Sequence, residues 1–225
     1  MPGLKCSLCN SELASPPKFL SSRKAQKNRC FVQCPVCDLI FVPEKFHLLP
    51  QDEAARYRLH DNTLLNEGYV RMFLEKIELI RQYCPDIHSV LDYGCGPEPV
   101  LAQLIKREGF DCQVFDPYFF PEFPEGSYDL VISTEVFEHF RDVKMELHKI
   151  RSLMAQGCFL AVMTSFHDAA SDFSDWWYPS DPTHICFFGM RTFEWISKQF
   201  GFEIIYTDRK NFIILKAESS AYSDS

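Results

Sequence analysis

Short apolar runs alternate with longer amphipathic segments over most of the chain. Apolar runs of strand length occur at 89–93, 112–116, 128–133, 157–164, 203–207 and 212–216. Apolar residues recur at helical spacing at 69–84, 98–108, 143–153 and 191–200. Gly157 and Gly201 mark expected breaks between a helix and the next strand. The alternation predicts an α/β domain with a mostly parallel sheet, and the last two strands, with no helix between them, predict an antiparallel final pair.

Two pairs of cysteines lie ahead of this alternating region. Cys6 and Cys9 form one C-x-x-C pair, Cys34 and Cys37 form another, and 24 residues separate the pairs. This spacing is typical of a zinc ribbon, in which two knuckles direct four thiolates at one tetrahedral ion. Cys30, between the pairs, is a substitute ligand or a bystander. A disulfide framework is the weaker alternative, because the chain is long and shows no secretory features.

These features divide the chain of 225 residues into four parts. We predict a zinc-ribbon-like module at 1–45, a linker with an amphipathic helix at 46–84, the α/β domain at 85–217 and a disordered tail at 218–225. The polar, basic run at 21–29 is interpreted as a solvated loop or hairpin tip, with nucleic-acid contact as the minor alternative.

Composition and charge narrow the class of partner. No apolar run approaches the roughly 18 residues of a membrane helix, and the amino terminus has no apolar signal core. We therefore expect a cytoplasmic protein with no membrane partner. The net charge of −8 disfavours a broad phosphate-binding surface, so a small molecule is favoured over nucleic acid as the partner. The sequence carries no signal for an oligomeric state.

The stretch from Ser89 to Gly96 carries the first chemical signal. It is a buried strand that runs into a glycine turn, with Asp92 at its end, and a helix begins soon afterwards. Gly94 and Gly96 permit a sharp turn and a close approach of the backbone to a ligand. Asp116, which ends the next strand, is placed to hold ribose hydroxyls. The pattern predicts a nucleoside cofactor; an ordinary tight turn is the alternative.

The residue at position 99 helps to identify the cofactor. The dinucleotide motif G-x-G-x-x-G needs a third glycine there, and this chain has Pro99, which disfavours NAD and FAD. The pattern resembles the first motif of class I S-adenosylmethionine-dependent methyltransferases, although Glu98 replaces a glycine that is common in it. The resemblance implies a Rossmann-like sheet and cofactor contacts from six residues: Asp92, Gly94, Gly96, Asp116, Thr134 and Glu135, the last beside the methionine moiety.

A second cluster follows the 128–133 strand. Glu135, Glu138 and His139 stand at i, i+3 and i+4, and are expected on one face of a helical turn. The E-x-x-E-H string resembles metal-binding segments of ubiquinone-pathway O-methyltransferases and of small-RNA 3′-terminal 2′-O-methyltransferases. With His184 as a fourth ligand, it implies Mg²⁺ or another divalent cation that would activate an acceptor hydroxyl. In the alternative, Glu135 only touches the cofactor and His139 caps the helix.

A third cluster, WWYPSDPTHICFF at 176–188, is rich in aromatic residues. We expect Trp176, Trp177 and Tyr178 to enclose the substrate, although a packed loop is an equal alternative. His184 is predicted as the catalytic base or as a metal ligand. His139 is a weaker catalytic candidate, and His60 is a weaker candidate for contact with the substrate.

Six features together resemble a group of bacterial class I methyltransferases with an amino-terminal zinc module: the cysteine pairs, the A-R-Y-x-x-H-x-N linker at 55–62, LDYGCGP, TEVFEHF, VMT at 162–164 and WWYPSDPTHICFF. This resemblance implies a reaction type without a substrate. We expect methylation of an oxygen or a nitrogen on a small molecule, with S-adenosylmethionine as donor and structural zinc in the module. Two alternatives stay open: an RNA methyltransferase whose zinc module recognises RNA, and a non-catalytic scaffold that binds S-adenosylmethionine.

Overall fold

The computed structural model describes residues 4–13, 19–25, 29–58 and 63–218. The amino-terminal part contains three short strands, β1 (Phe19–Leu20), β2 (Phe31–Gln33) and β3 (Ile40–Phe41), and a 3-10 helix at Glu44–Phe46. Two helices follow, α1 (Pro50–Tyr57) and α2 (Glu67–Tyr83). The predicted tail falls almost wholly outside the described residues, as do 26–28 of the basic run.

The rest of the chain alternates strands and helices, as the apolar pattern predicts. In chain order the elements are β4 (Ser89–Tyr93), α3 (Val100–Arg107), β5 (Asp111–Phe115), β6 (Tyr128–Thr134), α4 (Val143–Ser152), β7 (Met154–Met163), β8 (Cys186–Phe187), α5 (Met190–Phe200), β9 (Phe202–Thr207) and β10 (Phe212–Ala217). Two 3-10 helices lie at Phe137–His139 and Tyr178–Ser180.

Six of these strands form one sheet in the order β5-β4-β6-β7-β10-β9. The first four strands are parallel, and β10 runs antiparallel to both β7 and β9. The predicted mostly parallel sheet with an antiparallel end is therefore confirmed. Residues 117–127, between β5 and β6, contain no strand. The prolines in that stretch explain this, because proline cannot donate a hydrogen bond to a sheet.

Two apolar cores cover the two faces of the sheet. Along β4, Val90 faces the core that includes α2 and α3, whereas Leu91 and Tyr93 face the core that includes α4 and α5. The second of these cores continues into the amino-terminal part, where it includes Cys6 and Cys34. The cysteine pairs are therefore packed against the sheet domain.

The amino-terminal strands are completed by a strand from far along the chain. A four-stranded antiparallel sheet contains β1, β2, β3 and β8 in that order. Ile40 pairs with Phe187, and the amide of Val42 donates to the carbonyl of Ile185 at 2.8 Å. The segment that carries the third sequence cluster is therefore joined to the cysteine-containing part of the protein.

One expectation about local structure is wrong, one is confirmed and one is incomplete. Gly157 lies inside β7, with a φ of 81°, and does not precede the strand. The strand begins earlier, at Met154, which pairs with Tyr128 of β6. The register of this pairing shifts between Tyr128 and Leu130. Gly201 does end α5, in the left-handed conformation that the prediction requires. The predicted linker contains α1, whose start has Pro50 and two acidic residues in its first turn.

Within the described residues, the structure has no helix that is both long enough and apolar enough to cross a membrane.

Candidate active site

The loop between β4 and α3 forms one wall of the site. Gly94 and Gly96 have positive φ angles of 87° and 68°. The Gly94 amide donates to the carbonyl of Phe115 at 2.7 Å, which ties the loop to β5. A Cβ atom at Gly94 would lie 2.4 Å from Cγ2 of Val136, whereas one at Gly96 would meet nothing within 4 Å. Gly94 thus allows close packing, and Gly96 leaves open space beside a cavity.

Two aspartates flank this loop. Asp92 is 2% exposed, and burial, together with the nearby charge of Asp116, raises its pKa to about 7. The Asp116 carboxylate accepts hydrogen bonds from the amides of Gly96 at 3.0 Å, Tyr118 at 2.8 Å and Phe119 at 3.1 Å. It fixes the glycine loop and still has lone pairs for a ribose hydroxyl, because a carboxylate can accept about four hydrogen bonds.

A cavity of about 820 Å³ opens at the carboxyl ends of β4, β5 and β6. Nine of the predicted site residues line it: Asp92, Gly94, Gly96, Asp116, Thr134, Glu135, His139, Trp177 and His184. The structure thus brings the residues predicted for the cofactor together with two predicted histidines. His60 lies outside the described residues.

The chain turns sharply where β6 ends. Glu135 has a φ of 55°, which is uncommon for a residue with a side chain, and its amide donates to the carbonyl of Met163 at 2.8 Å. Only Phe137–His139 form a helical turn, a 3-10 helix. The expectation that Glu135, Glu138 and His139 share one helical face is therefore wrong. Glu135 points from the end of the strand and stays accessible to solvent in the cavity.

Glu138 is fully buried beneath the cavity. Its Oε1 accepts from the Tyr178 hydroxyl at 2.6 Å, and its Oε2 accepts from Thr164 Oγ1 at 2.8 Å. The same Tyr178 hydroxyl lies 3.3 Å from Oε2 of Glu135. The surrounding protein raises the pKa of Glu135 well above its ordinary value, and the charge of Glu138 raises it further. Tyr178 therefore bridges two carboxylates.

The two histidines are held in one tautomer by backbone carbonyls. His139 Nδ1 lies 3.0 Å from the carbonyl of Thr183, and His184 Nδ1 lies 3.0 Å from that of Tyr178. A carbonyl can only accept, so Nδ1 carries the hydrogen in each neutral ring and Nε2 carries the lone pair. Burial, together with the neighbouring His139, lowers the pKa of His184 to about 4. His184 is therefore neutral at physiological pH.

Glu138, His139 and His184 form a cluster with the donor types of a metal site. One ligand atom from each lies within 4.8 Å of the other two. Glu135, the fourth predicted ligand, is not part of this cluster. The hydrogen bonds from Nδ1 to backbone carbonyls are the kind that orient histidine ligands in metal proteins. The donor set of two imidazoles and a carboxylate suits Mn²⁺, Fe²⁺ or Zn²⁺ better than Mg²⁺.

The aromatic segment has a mixed role. Trp177 is 63% exposed and lines the cavity. Trp176 stacks on Tyr178, with ring centroids 5.0 Å apart, and packs against the core. Tyr178 is fully buried and acts in the carboxylate network. Of the three aromatic residues predicted to contact substrate, the structure therefore places only Trp177 on the cavity wall.

Helix α1 contributes residues that the sequence analysis does not identify. Arg56 forms a bidentate ion pair with Asp181, with nitrogen–oxygen distances of 2.9 and 3.0 Å. Glu53 accepts from Arg141 at 2.7 Å and from the Tyr118 hydroxyl at 2.9 Å. These residues line the cavity, so α1 forms part of its wall. The proline and acidic residues at its start are the available sequence signal.

Tyr57, also on α1, lines the cavity and packs edge-on against His139, with ring centroids 5.1 Å apart.

The four predicted zinc ligands lie together away from the cavity. Ligand atoms of Cys6, Cys9, Cys34 and Cys37 are within 4.8 Å of one another, and two sulfur pairs are 3.5 Å apart. None of the four forms a disulfide. Four thiolates about 2.3 Å from one zinc ion would have sulfur atoms less than about 4 Å apart, so this arrangement fits zinc. Cys30 is not part of the cluster.

The two cysteine pairs have the same backbone geometry. The amide of Asn10 donates to the carbonyl of Cys6 at 3.0 Å, and the amide of Asp38 donates to that of Cys34 at 3.0 Å. Asn10 and Asp38 have φ angles of 57° and 64°. Asp38 therefore adopts the left-handed conformation for which a glycine is usual, and the knuckle forms despite this substitution.

Comparison with known proteins identifies the family. A family model described as a methyltransferase domain matches residues 57–207. No curated protein matches the chain. An O-methyltransferase family protein from Burkholderia thailandensis has a solved structure that is 14% identical, with a TM-score of 0.50 over 75% of this chain and 64% of that one.

A second solved structure, a SAM-dependent methyltransferase from Archaeoglobus fulgidus, is 16% identical, with a TM-score of 0.49 over 65% of this chain and 94% of that one. The likeness to the Burkholderia protein shows the fold alone, and this chain spans less than two thirds of its length. The family model matches most of the chain, and the sheet of this protein has the strand arrangement of class I methyltransferases. The chain belongs to the methyltransferase-domain family.

Proposed function

We propose that the protein transfers a methyl group from S-adenosylmethionine to an oxygen or nitrogen of a small acceptor molecule. One observation carries this proposal: Gly96 leaves open space beside Asp92 and Asp116 in a cavity at the carboxyl edge of a parallel sheet. Ligands of open α/β sheets bind at this edge. Membership of the family supports the donor, and the walls of the cavity support the class of acceptor.

Residues 92–96 and Asp116 make up what we call the cofactor side. S-adenosylmethionine, when bound, supplies a reactive methyl group on a positively charged sulfur. Asp116 offers lone pairs to the ribose hydroxyls, and the glycine loop allows the backbone to approach the adenosyl group. Thr134 and Glu135, at the end of β6, lie on the wall that leads from this loop to the histidines. We infer that they contact the methionine end.

Helix α1, Arg141 and residues 177–184 make up what we call the acceptor side. Tyr57 and Trp177 give this side flat apolar surfaces, with Tyr118 packed beside Tyr57, and the ion pairs of Arg56 and Arg141 give it polar edges. Such walls suit a flat or sugar-like molecule with a hydroxyl or amine. During transfer the carbon–sulfur bond breaks as the new bond to the acceptor forms. The acceptor loses its proton, so an oriented nucleophile and exclusion of water supply much of the rate.

His184 accepts that proton or helps to hold a divalent cation. Glu138, His139 and His184 would hold the ion, which lowers the pKa of a bound hydroxyl and so favours its attack. The tautomers observed for both histidines place a lone pair on Nε2, and this supports either role. We favour the cation, because three donor atoms already lie together, two of them on histidines that line the cavity.

The experiment that tests the donor is calorimetric titration with S-adenosylmethionine and S-adenosylhomocysteine. We expect micromolar binding to the full chain and at least a tenfold weaker affinity in Asp116→Ala, because the glycine loop loses its fixed acceptor. Asp111→Ala is the matched control: Asp111 is exposed at the opposite end of the same strand. An absence of binding by the wild-type chain would refute the proposal.

A separate measurement tests the cation. Protein with zinc in the cysteine cluster is titrated with Mn²⁺ and followed by electron paramagnetic resonance. We expect one additional bound ion per chain, lost in His139→Ala/His184→Ala and retained in His88→Ala, which removes an exposed histidine. If the wild-type chain binds no second ion and EDTA leaves transfer unchanged, the cation proposal fails, and loss of turnover in His184→Ala would then test the role of His184 as the base.

The two alternative functions make different predictions. An RNA methyltransferase would shift total RNA on a gel in a salt-dependent manner, which the net charge of −8 disfavours. A scaffold would bind the donor without consuming it in the presence of any acceptor. Conversion of labelled donor with a panel of hydroxyl and amine compounds distinguishes the enzyme from both.

A further inference from the structure

We propose that Arg29 is a positioning residue for the acceptor side. Its guanidinium extends from the amino-terminal cysteine module and holds the loop at 178–184 that places His184 at the cavity. This inference rests on the proposed function, because the acceptor side is defined by it. It also gives the cysteine module a role in building the site.

The hydrogen bonds of Arg29 carry the inference. Nη1 donates to the carbonyls of Pro179 at 2.9 Å and Asp181 at 2.7 Å, and Nη2 donates to the carbonyl of His184 at 2.5 Å. One side chain therefore binds three carbonyls of one loop from about 150 residues away in the sequence. The planar fork of arginine can bind several carbonyls at once, and the single ammonium group of lysine does so poorly.

The loop has little regular structure of its own. Within it, only Tyr178–Ser180 form a short 3-10 helix. His184 Nδ1 donates to the carbonyl of Tyr178, so the orientation of this ring depends on the path of the backbone in the loop. Buried carbonyls need donors, and Arg29 supplies them to the residues on both sides of the turn at Asp181.

Arg29 is itself held by the cysteine module. It lies just before β2, with its guanidinium 5.2 Å from the centre of the Phe31 ring. β2 pairs with β3 and leads into the Cys34–Cys37 knuckle. Burial lowers the pKa of Arg29 to about 10, so it keeps its positive charge at neutral pH. The cysteine cluster thus anchors a permanent charge beneath the acceptor side.

The test compares Arg29→Ala with Arg23→Ala in the full chain. Arg23 also comes from the module, but it is exposed, and its side chain contacts Ser174 and Asp175, just before the aromatic segment. We expect hydrogen–deuterium exchange at the amides of residues 180–185 to rise at least about tenfold in Arg29→Ala, since one charge-assisted hydrogen bond is worth about that factor. Arg23→Ala should change this exchange by less than about twofold.

Two further readouts separate positioning from general stability. In wild-type protein, nitrogen-15 spectra should show His184 fixed with its hydrogen on Nδ1; in Arg29→Ala the two tautomers should average. Millimolar methylguanidinium should restore the fixed tautomer and slow the exchange, whereas methylammonium should not. Arg29→Lys serves if Arg29→Ala does not fold, and it should show the same averaging with rescue by neither compound.

The outcomes are decisive and distinct from those of the donor test. Unchanged exchange and an unchanged tautomer in Arg29→Ala would overturn the inference, as would equal rescue by methylammonium. Affinity for S-adenosylhomocysteine should stay within about threefold of wild type, because Arg29 contacts no residue of the cofactor side. If wild-type protein binds neither donor nor product, the proposed function fails, whereas the structural effect of Arg29 on the loop is still measured.

Discussion

The cofactor side and the acceptor side of the cavity are built from the chain in different ways. The cofactor side comes from one β-α-β unit, β4 to β5, in which Asp92, Gly94, Gly96 and Asp116 lie within 25 consecutive residues. The acceptor side combines Arg29, α1, Arg141 and the loop at 177–184, which are widely separated in sequence. Local structure defines the first side, and long-range contacts define the second.

This difference explains what each side can tolerate. A substitution on the cofactor side disturbs close contacts among neighbouring backbone segments, so we expect its effect to stay local. A change on the acceptor side breaks a contact between distant segments, so its effect depends on how many other contacts hold those segments. Four substitutions, from the largest expected effect to the smallest, test this contrast.

Cys37→Ser should have the largest effect, and it weakens the cysteine module that holds the acceptor side through Arg29. Cys37 is 1% exposed, and its replacement removes one of four thiolates and leaves a hydroxyl in the core. We expect the free energy of unfolding to fall by more than about 4 kcal/mol, because loss of a structural metal is among the most costly single changes. Urea denaturation measures this. Cys30→Ser, outside the cluster, is the control, and an equal loss there would contradict the zinc assignment.

Gly94→Ala should disrupt the cofactor side itself. The new Cβ would lie 2.4 Å from Val136 Cγ2, at a φ of 87° that disfavours any side chain. We expect the free energy of unfolding to fall by about 3 kcal/mol, because the new methyl group overpacks the site and strains the backbone. Gly96→Ala has open space around its Cβ and should lower the free energy of unfolding by only about 1 kcal/mol. Its affinity for the donor should nevertheless fall at least as much as that of Gly94→Ala. Equal unfolding free energies for the two variants would show that the clash with Val136 is relieved.

Asp92→Asn should change how stability depends on pH. Asp92 has a pKa of about 7 in the folded protein and about 3.9 when unfolded, so the folded state binds the extra proton. The stability associated with this group is complete below pH 4 and is lost as the pH rises through 7. An asparagine side chain cannot ionise. We therefore expect the free energy of unfolding of the variant to exceed that of wild type by about 1–3 kcal/mol at pH 8 and to equal it at pH 4. Parallel pH profiles for the two proteins would contradict the raised pKa.

Arg56→Ala should have the smallest effect on stability. Its ion pair with Asp181 is half-exposed, and such pairs contribute less than about 1 kcal/mol. Because the pair joins α1 to the loop, we expect faster amide exchange in α1 without a change in donor affinity. Arg81→Ala, which breaks a surface pair with Glu108 far from the cavity, is the matched control. A stability loss as large as that of Gly94→Ala would mean that the acceptor side is more rigid than its contacts indicate.

The same contrast decides how much the sequence can predict. The strand, the two glycines and the two acids of the cofactor side follow from patterns within one β-α-β unit, and each lies where it is predicted. The pairing of β8 with β3 involves two residues on each strand, which is too short for any periodicity to reveal. Arg29 belongs to a charged run that is typical of a solvated loop, and only the fold places its side chain under His184.

At the end of β6, the spacing of the residues does not reveal the conformation of the backbone. The spacing of Glu135, Glu138 and His139 fits a helix, but the positive φ of Glu135 separates it from the other two. The hydrogen bonds of Glu138 to Tyr178 and Thr164 come from two other segments, and no local pattern encodes them. Three of the four predicted cation ligands therefore lie together and Glu135 does not, and the binding of a cation stays a prediction.

The pairing of β3 with β8 has a consequence for synthesis on the ribosome. The amino-terminal strands emerge first, yet their sheet lacks its last strand until residues 186–187 have been made. Until then the edge of β3 exposes unpaired backbone groups and apolar side chains, which favours association with other chains. Nascent chains stalled before residue 186 should therefore depend on chaperones more than the finished protein does.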